Sequence, residues 1–322
     1  MNRLDIETEV AELNYKDIYL LPERTTVNSR GECDTSVVLG GMLFKVPVYP
    51  ANMKSVVNES TCEFLAKKGW FYTMHRFGTN PLKFTVEMGL KGLISSISIG
   101  VKPDSYEELN SLVKHKVFPN FITLDIANAW SNQAEHMIGE IKRKLPNSFL
   151  IVGNVATGEA VKEVASWGAD AIKVGIAGGH VCTTKDKTGF HRPMVSTLLD
   201  CASVSPVPII ADGGISSHGD IAKAIACGAT MVMAGMLFSG YDESAGNVIE
   251  INGKMYKEYY GSASEYNKSD IKNVEGRKVL VDYKGPMDKC LKEIQEDLQS
   301  SISYSGGNSI ESLYSAKLIQ VR

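Results

Sequence analysis

Eight short apolar runs, separated for the most part by stretches of helical pattern, are the feature that most constrains how this chain can fold. The runs are nearly continuous rather than alternating, which is typical of parallel strands covered on both faces by helices. Eight strand–helix units in succession favour a closed (β/α)8 TIM barrel over an open doubly wound sheet, which would leave two runs unexplained. The predicted strands are Val46–Tyr49, Trp70–Met74, Ile94–Ile99, Phe121–Ile126, Phe149–Gly153, Ala171–Val174, Pro208–Ala211 and Thr230–Ala234.

The rest of the chain extends this barrel at its C-terminal side. Residues 248–260 alternate around Asn252-Gly253, a strong hairpin signal, and residues 262–274 are polar and predict a loop. The predicted helices are Pro81–Gly89, Pro103–His115, Gly158–Trp167, Asp220–Cys227 and Pro286–Ser300. Because no linker rich in Pro, Gly or Ser divides the strands, we expect residues 1–322 to form a single α/β catalytic domain.

Composition excludes several classes of protein. A formal net charge of −3, from 34 basic and 37 acidic residues, argues against a nucleic-acid-binding protein. No apolar run reaches the ~20 residues that span a bilayer, and the polar, acidic N-terminus predicts no signal peptide. Six scattered cysteines without a C-x-x-C pair argue against a zinc site or a disulfide framework. A cytoplasmic enzyme with a small-molecule substrate is the resulting expectation.

In such barrels the catalytic groups follow the carboxyl ends of the strands, and a phosphate site often lies after the last two. Asp212, Gly213 and Gly214 follow the seventh predicted strand, and Gly235 follows the eighth. The glycines allow backbone N–H groups to approach a phosphate, while the Asp212 carboxylate is suited to accept from ribose hydroxyls. The pattern favours a nucleotide monophosphate site. The alternative is that these glycines only serve tight turns and close packing.

Cys182 is the candidate nucleophile, because its glycine-rich and polar surroundings are unlike a hydrophobic core. Lys185 and Lys187 would favour its thiolate, and Thr184 could transfer a proton. The alternative is a small buried apolar residue, which is what we expect of Cys62, Cys201, Cys227 and Cys290.

Three polar residues elsewhere have two interpretations each, and a fourth has one. His75 and Arg76 end an apolar run and either contact an anionic ligand or are a solvated strand end. Asp125 either orients an amide or caps a helix. Glu275 by itself reads as a surface carboxylate. No P-loop, H-E-x-x-H or G-x-S-x-G motif occurs, and no G-x-G-x-x-G follows the first strand, which argues against a Rossmann cofactor domain.

Several long motifs together resemble the inosine-monophosphate dehydrogenase and guanosine-monophosphate reductase family. They follow one another in the family's order and cover nearly the whole chain. Residues 173–189 are similar to the catalytic-cysteine loop, 210–224 to the phosphate and ribose loop, and 231–240 to the loop after it. Further similarity lies at residues 15–18, 28–30, 260–264 and 273–276.

Within that family the chain resembles the short bacterial reductase branch. Dehydrogenases usually carry a regulatory insertion in the barrel and a long flap with an Arg-Tyr pair that activates water. Here each strand reaches the next through roughly one helix, and no Arg-Tyr dipeptide occurs. The resemblance therefore implies NADPH-dependent reductive deamination of GMP to IMP and ammonia by a homotetramer, with a covalent thioimidate on the cysteine.

The resemblance also assigns roles residue by residue. The catalytic residues are Cys182, Thr184 and Glu275. The GMP-binding positions are His180, Asp212, Gly213, Gly214, Gly235, Met236, Ser262, Ala263, Ser264, Lys272, Asn273, Val274 and Gly276. The cofactor-binding positions are Ser29, Arg30, Arg76, Asp125, Ile126, Ala127, Tyr304, Ser305, Gly306 and Gly307, with Tyr304 contributed by a neighbouring subunit. Potassium (K+) would be held by the backbone carbonyls of Ala177, Gly179, Cys182 and Lys185.

The chain departs from the family pattern beside the cysteine. The family's Gly-Pro-Gly-Ser is Ala177-Gly178-Gly179-His180 here, and residues 190–193 differ from the usual glycine-rich stretch. We expect the lost glycine and proline to weaken the potassium site, and His180 to replace a serine that contacts phosphate. Two alternatives remain: an IMP dehydrogenase without the insertion, and a catalytically weak protein that binds purine nucleotides.

Overall fold

A parallel sheet of seven strands forms the centre of the computed structural model, which describes residues 12–266 and 274–321. Numbered along the chain, the strands are β1 Ile18–Leu20, β2 Val37–Leu39, β3 Met42–Phe44, β4 Val48–Pro50, β5 Ser96–Ile99, β6 Phe121–Asp125, β7 Phe149–Val155, β8 Ala171–Val174, β9 Ile209–Asp212, β10 Met231–Ala234, β11 Val248–Ile251, β12 Lys254–Tyr260, β13 Lys278–Asp282 and β14 Leu318–Gln320. The order of strands in the seven-stranded sheet is β4-β10-β9-β8-β7-β6-β5, so the strands follow the chain around the sheet from β5 to β10, and β4 pairs with β10.

The predicted second strand is the one that the sheet lacks. Residues 70–75 are buried but form no ladder with either edge strand. Isolated hydrogen bonds join them to β5 instead. The Met74 N–H donates to the Ser96 carbonyl (3.0 Å), and the Ser98 hydroxyl donates to the Met74 carbonyl (2.6 Å). Toward β4 the contact is between side chains, with the Phe71 and Tyr49 rings 4.7 Å apart. The expectation of a strand here was wrong, because one backbone bond and the contacts of side-chain hydroxyls and rings take the place of a ladder.

Helices cover the outside of the sheet, as predicted for a TIM-barrel-like fold. They are α1 Glu59–Lys67, α2 Pro81–Leu90, α3 Pro103–Lys114, α4 Asn132–Lys144, α5 Gly158–Ser166, α6 Thr184–Thr188, α7 Met194–Val204, α8 His218–Ala226 and α9 Asp288–Tyr304. The side chains of Asn58, Asn80, Ser131 and Thr157 accept from backbone N–H groups at the first turns of α1, α2, α4 and α5. The short α6 was not predicted, and it begins two residues after the candidate nucleophile.

The amino end of the barrel is closed by the β2–β3 hairpin. Phe44 at its end packs on Phe71 and Phe121, with ring centroids 5.1 and 5.9 Å apart. At the tip, a Cβ on Gly40 would lie 2.8 Å from the Phe121 ring, so the bare backbone is what fits there. The carboxyl end of the strands is therefore the end that remains for a site.

Sheets outside the barrel position the last part of the chain. The predicted hairpin is confirmed as β11–β12, and β13 pairs with β12 as a third antiparallel strand. β1 pairs with β14, which joins the two ends of the described chain. Among residues 12–266 and 274–321, no helix is long and apolar enough to cross a membrane.

Candidate active site at the carboxyl end of the barrel

Cys182 lies in the loop between β8 and α6 and is partly exposed, while the other five cysteines are buried. Its thiol donates to the Thr184 hydroxyl, with 3.2 Å between Sγ and Oγ1. The Thr184 hydroxyl in turn donates to Glu275, with 2.5 Å between Oγ1 and Oε2. A hydroxyl can accept one hydrogen bond while it donates another, so the three side chains form a continuous path for a proton.

Backbone hydrogen bonds hold the two strands of this site together. Cys182 and Gly276 form an isolated antiparallel bridge, flanked by a bond from the Thr183 N–H to the Glu275 carbonyl (2.9 Å). The Arg277 N–H donates to the Val181 carbonyl (2.9 Å). The stretch before β13 thus brings the carboxylate of Glu275 to the cysteine loop, which sequence reasoning from Glu275 alone did not foresee.

The glycine loops after β9 and β10 lie beside the cysteine loop. The Gly214 N–H donates to the Gly178 carbonyl (2.8 Å), and a Cβ on Gly213 would lie 2.9 Å from the Gly178 backbone. Gly235 precedes a 3-10 helix at Met236–Phe238, and a Cβ there would lie 2.3 Å from the Tyr259 hydroxyl oxygen. Close packing by itself therefore favours glycine at positions 213 and 235. The contact of this loop with a phosphate stays a prediction.

Asp212 ends β9, and its carboxylate faces Lys173. The sequence analysis singled out Asp212 but gave no role to Lys173. The Lys173 ammonium lies 2.6 Å from Asp212 Oδ2 and 3.4 Å from Asp125 Oδ1. The signal that could have found it is a lysine inside an otherwise apolar strand, Ala171–Val174. Lysine is almost never fully buried unless it is paired, so this lysine predicts acidic partners.

The predicted cofactor residues fall into two groups. Arg76 donates from Nε to the Asp125 carbonyl (3.1 Å) at the end of β6, followed by Ile126 and the exposed Ala127. Arg30 lies over the Tyr304 ring at 5.0 Å and donates to its hydroxyl (2.9 Å). This second group packs along α9, which lies on α8 and so covers the β10 side of the sheet. Ser29 precedes Arg30, and Ser305, Gly306 and Gly307 form the turn after α9.

Two sequence interpretations are decided by burial and by helix capping. Burial, together with the charge of Lys54, lowers the pKa of His75 to about 4, and His75 Nδ1 accepts from the Phe77 N–H (3.1 Å). His75 is therefore neutral at pH 7 and, at 5% exposure, is not a solvated strand end, while its contact with an anionic ligand stays a prediction. Asp125 caps no helix, because Ser131 is the N-cap residue of α4.

The other predicted substrate positions lie around Glu275, except for two that the structure does not describe. The Ala263 carbonyl accepts from the Glu275 N–H (2.9 Å), and the Val274 carbonyl accepts from Lys187. Ser264 is fully buried, and within the described chain its hydroxyl has no hydrogen-bond partner.

His180 is exposed, with its carbonyl accepting from Arg277 (3.1 Å). Ser262 stands between Gly261 and Ala263, whereas Lys272 and Asn273 lie outside the described residues.

Two of the four carbonyls predicted to hold potassium already accept backbone hydrogen bonds. Gly179 accepts from the Cys182 N–H (3.1 Å), and Lys185 accepts from the Gly189 N–H (3.0 Å). A carbonyl oxygen has two lone pairs, so both retain a position for a cation. Ala177 adopts a left-handed backbone conformation with φ of 61°, which any residue other than glycine adopts at a cost.

Comparison with known proteins decides the family. The family model described as "IMP dehydrogenase / GMP reductase domain" matches residues 12–322. The chain belongs to the IMP dehydrogenase/GMP reductase family. Its relatives include a GMP reductase of Chromobacterium violaceum, 60% identical over 96% of this chain and 98% of that protein. A GMP reductase of Delftia acidovorans is 52% identical over 92% of each chain, and one of Bacillus cereus is 50% identical over 96% and 95%. As a member of this family the chain is an oxidoreductase with the expected TIM-barrel-like fold.

Proposed function

We propose that the chain catalyses the reductive deamination of GMP to IMP and ammonia with NADPH, as one catalytic domain over residues 1–322. The observation that carries this proposal is the path from Cys182 through Thr184 to Glu275, with successive separations of 3.2 and 2.5 Å. Such a path would bring a nucleophile, a proton carrier and a carboxylate to one carbon of the substrate. Relatives named GMP reductase that cover nearly the whole chain support the same activity.

In the first half-reaction the cysteine replaces the exocyclic amine of the base. The thiol proton passes through Thr184 to Glu275, and the sulfur attacks C2 of guanine. The amine is a poor leaving group unless it is protonated, so Glu275 returns that proton through Thr184 as the C2–N bond breaks. Ammonia leaves and a thioimidate joins C2 to Cys182, with every atom of the thiol and the amine accounted for.

In the second half-reaction the C–S bond breaks and C2 gains a hydrogen. The nicotinamide cofactor, when bound, supplies this hydride. The cysteine leaves as a thiolate and takes up one proton from solvent, which completes the balance of GMP, NADPH and H+ against IMP, NH3 and NADP+. Water must be kept from the thioimidate, because hydrolysis would compete with hydride transfer.

The surrounding residues are proposed to hold the two ligands. Asp212 would accept from the ribose hydroxyls of GMP, and the backbone of Gly213, Gly214, Gly235 and Met236 would hold the phosphate. Arg76 and Asp125–Ala127 would line the cofactor side of the barrel end. Arg30 packs on Tyr304 at the end of α9, and we propose that the Tyr304 that contacts the cofactor comes from a neighbouring subunit of a homotetramer.

Potassium and cellular location remain predictions within this proposal. The carbonyls of Ala177, Gly179, Cys182 and Lys185 would bind K+ and thereby order the cysteine loop. Comparing activity in potassium and sodium buffers of equal ionic strength tests this contribution. The cytoplasmic location expected from the sequence stays a prediction.

A direct assay tests the activity. Purified protein with GMP and NADPH should show a GMP-dependent fall in reduced-nicotinamide absorbance, with IMP and ammonia as products. Cys182→Ala should abolish both turnover and any covalent adduct seen by mass spectrometry. Cys290→Ala, at the start of α9, is the matched control and should retain turnover.

Other results would assign a different function. A rise in absorbance with IMP and NAD+, without GMP reduction, would identify a dehydrogenase that lacks the insertion. GMP binding without turnover, unaffected by Cys182→Ala, would identify a binding protein. Near-normal turnover by Cys182→Ala would overturn the covalent mechanism.

A further inference from the structure

Lys173 projects into the barrel interior and is only 2% exposed, which is unusual for a charged side chain. Along β8, Ala171 packs with the inward-facing side chains of the neighbouring strands, while Ile172 and Val174 pack toward the helices. Since side chains alternate along a strand, Lys173 lies on the inward face, one layer above Ala171. On the neighbouring strand β7, a Cβ on Gly153 would lie 2.5 Å from Lys173 Cβ, so a glycine there leaves the lysine its space.

Three oxygen acceptors surround the Lys173 ammonium, matching its three N–H donors. They are Asp212 Oδ2 at 2.6 Å, Asp125 Oδ1 at 3.4 Å and Asn154 Oδ1 at 2.5 Å. Asn154 also donates to Asp212 Oδ2 (2.9 Å) and to the Gly175 carbonyl (2.6 Å). The cluster thus connects the ends of β6, β7, β8 and β9.

The surroundings of Lys173 favour its charged form. Burial by itself lowers the pKa of this lysine, but the carboxylates of Asp212 and Asp125 outweigh burial and raise the pKa from its ordinary value. A lysine that stays protonated throughout the physiological range is not suited to exchange a proton with substrate. Its contribution is therefore electrostatic and geometric, which separates it from the relay at Cys182.

We propose that Lys173 is a positioning residue that holds the Asp212 carboxylate by Oδ2 and so presents Oδ1 to the nucleotide ribose. This inference rests on the proposed function, because it takes Asp212 as the ribose acceptor. The same ammonium holds Asp125 by Oδ1, while Arg76 lies 3.8 Å from Asp125 Oδ2. Lys173 thus sets the distance between the carboxylate on the substrate side and the carboxylate on the cofactor side.

Lys173→Met tests the proposal, because methionine keeps the length of the side chain and removes its charge. The equilibrium Kd for GMP, measured by calorimetry without cofactor, should rise about 10- to 100-fold, the usual range for one hydrogen bond to a charged group. The Kd for IMP should rise by the same factor, because the two nucleotides share the ribose 5′-phosphate. At saturating GMP, the rate at which the covalent adduct forms should fall by a smaller factor than the affinity for GMP.

Two further variants separate positioning from folding. Lys173→Met/Asp125→Asn removes one positive and one negative charge, which leaves the net charge of the cluster unchanged and Asp212 intact. This double variant should fold, and its Kd for GMP should still be about 10-fold or more above that of the wild type.

Lys257 is a second lysine at 4% exposure, whose ammonium donates to the carbonyls of Tyr241 and Asp242. Lys257→Met should lower the melting temperature and leave the GMP Kd unchanged.

Wild-type GMP affinity in the folded double variant would overturn the positioning role while leaving the proposed reaction in place. A wild-type protein that binds neither GMP nor IMP would overturn both. A wild-type protein that binds the nucleotides but does not reduce GMP would overturn the reaction alone, since the Kd comparison still reports on Lys173.

Discussion

Thr184 and Glu275 are 91 positions apart in the chain, yet the Thr184 hydroxyl lies 2.5 Å from the Glu275 carboxylate. The bond joins the first residue of α6 to the stretch that leads into β13. It links two residues that are unremarkable separately to Cys182 in one hydrogen-bonded path, which is the proposed proton relay. Loops from distant parts of the chain meeting at the carboxyl end of the strands are a general property of this architecture.

Glu275→Gln should remove the group that takes and returns the proton while keeping the shape of the side chain. We expect kcat to fall by about 10²- to 10⁴-fold, the usual contribution of a positioned acid or base. The GMP Kd should change little. Steady-state kinetics and calorimetry measure the two quantities. Glu265→Gln, an exposed carboxylate in the same loop region, is the control, and an equal loss in that variant would contradict the specific role of Glu275.

Thr184→Val and Thr184→Ser form a matched pair, because one removes the hydroxyl and the other keeps it. Valine preserves the β-branched shape but breaks the path from the cysteine thiol to Glu275. We expect kcat to fall by about 10²-fold or more in Thr184→Val and to stay within about 10-fold of wild type in Thr184→Ser. Equal kinetics in the two variants would show that the hydroxyl carries no proton.

Gly276→Ala should displace the strand that carries Glu275. A Cβ there would lie 2.9 Å from the Ser264 backbone nitrogen and 3.3 Å from Gly261 Cα, and neither backbone can move freely. We expect a loss of kcat with a smaller change in melting temperature. Gly139→Ala, in α4 with open space around its Cβ, should keep full activity and gain stability. Full activity of Gly276→Ala would contradict the tight fit.

Ala177→Gly should stabilise the protein. Ala177 has φ of 61°, where glycine is tolerated without a steric penalty. Relief of that strain exceeds the extra backbone entropy that glycine loses on folding, so we expect the free energy of unfolding to rise by about 1 kcal/mol. Ala316, with φ of −64°, is the control, and Ala316→Gly should lower the same free energy. Denaturant titration measures both, and a loss of stability in Ala177→Gly would refute the strain.

The stability contributed by Glu108 should depend on pH. Burial, aided by Asp104, raises the pKa of this carboxyl from 4.5 to about 7 in the folded state. The folded state therefore favours the protonated form, so this stability is fully present below about pH 4.5 and is lost as the pH rises from there through about 7. Glu108→Gln should melt above wild type at pH 8 and close to it at pH 4, with Glu107→Gln as the exposed control. A pH-independent difference would contradict this assignment.

Several features of the fold could be predicted from nearby residues alone. Seven of the eight predicted strands are confirmed, because each is a short apolar run bounded by turn residues. The hairpin at Asn252-Gly253 is confirmed for the same reason, since its turn chemistry is local. The exception is the stretch Trp70–Met74, whose composition is that of a strand. Whether it joins the ladder depends on the hydroxyls of β5 and the rings beside β4, which are distant in sequence.

The sequence by itself determined the order of strands and helices, the loops that meet at the carboxyl end, and the closeness of Cys182 to Thr184, two positions away. Periodicity and turn chemistry act over a few residues, so both can be recognised in a single amino-acid sequence. Only the tertiary structure decided that the Thr184 hydroxyl bonds to the Glu275 carboxylate, that Arg30 packs on Tyr304, and that Lys173 joins two carboxylates inside the barrel. Those contacts depend on strand register and on the burial of charge, which arise once the sheet has curled and brought its strand ends together.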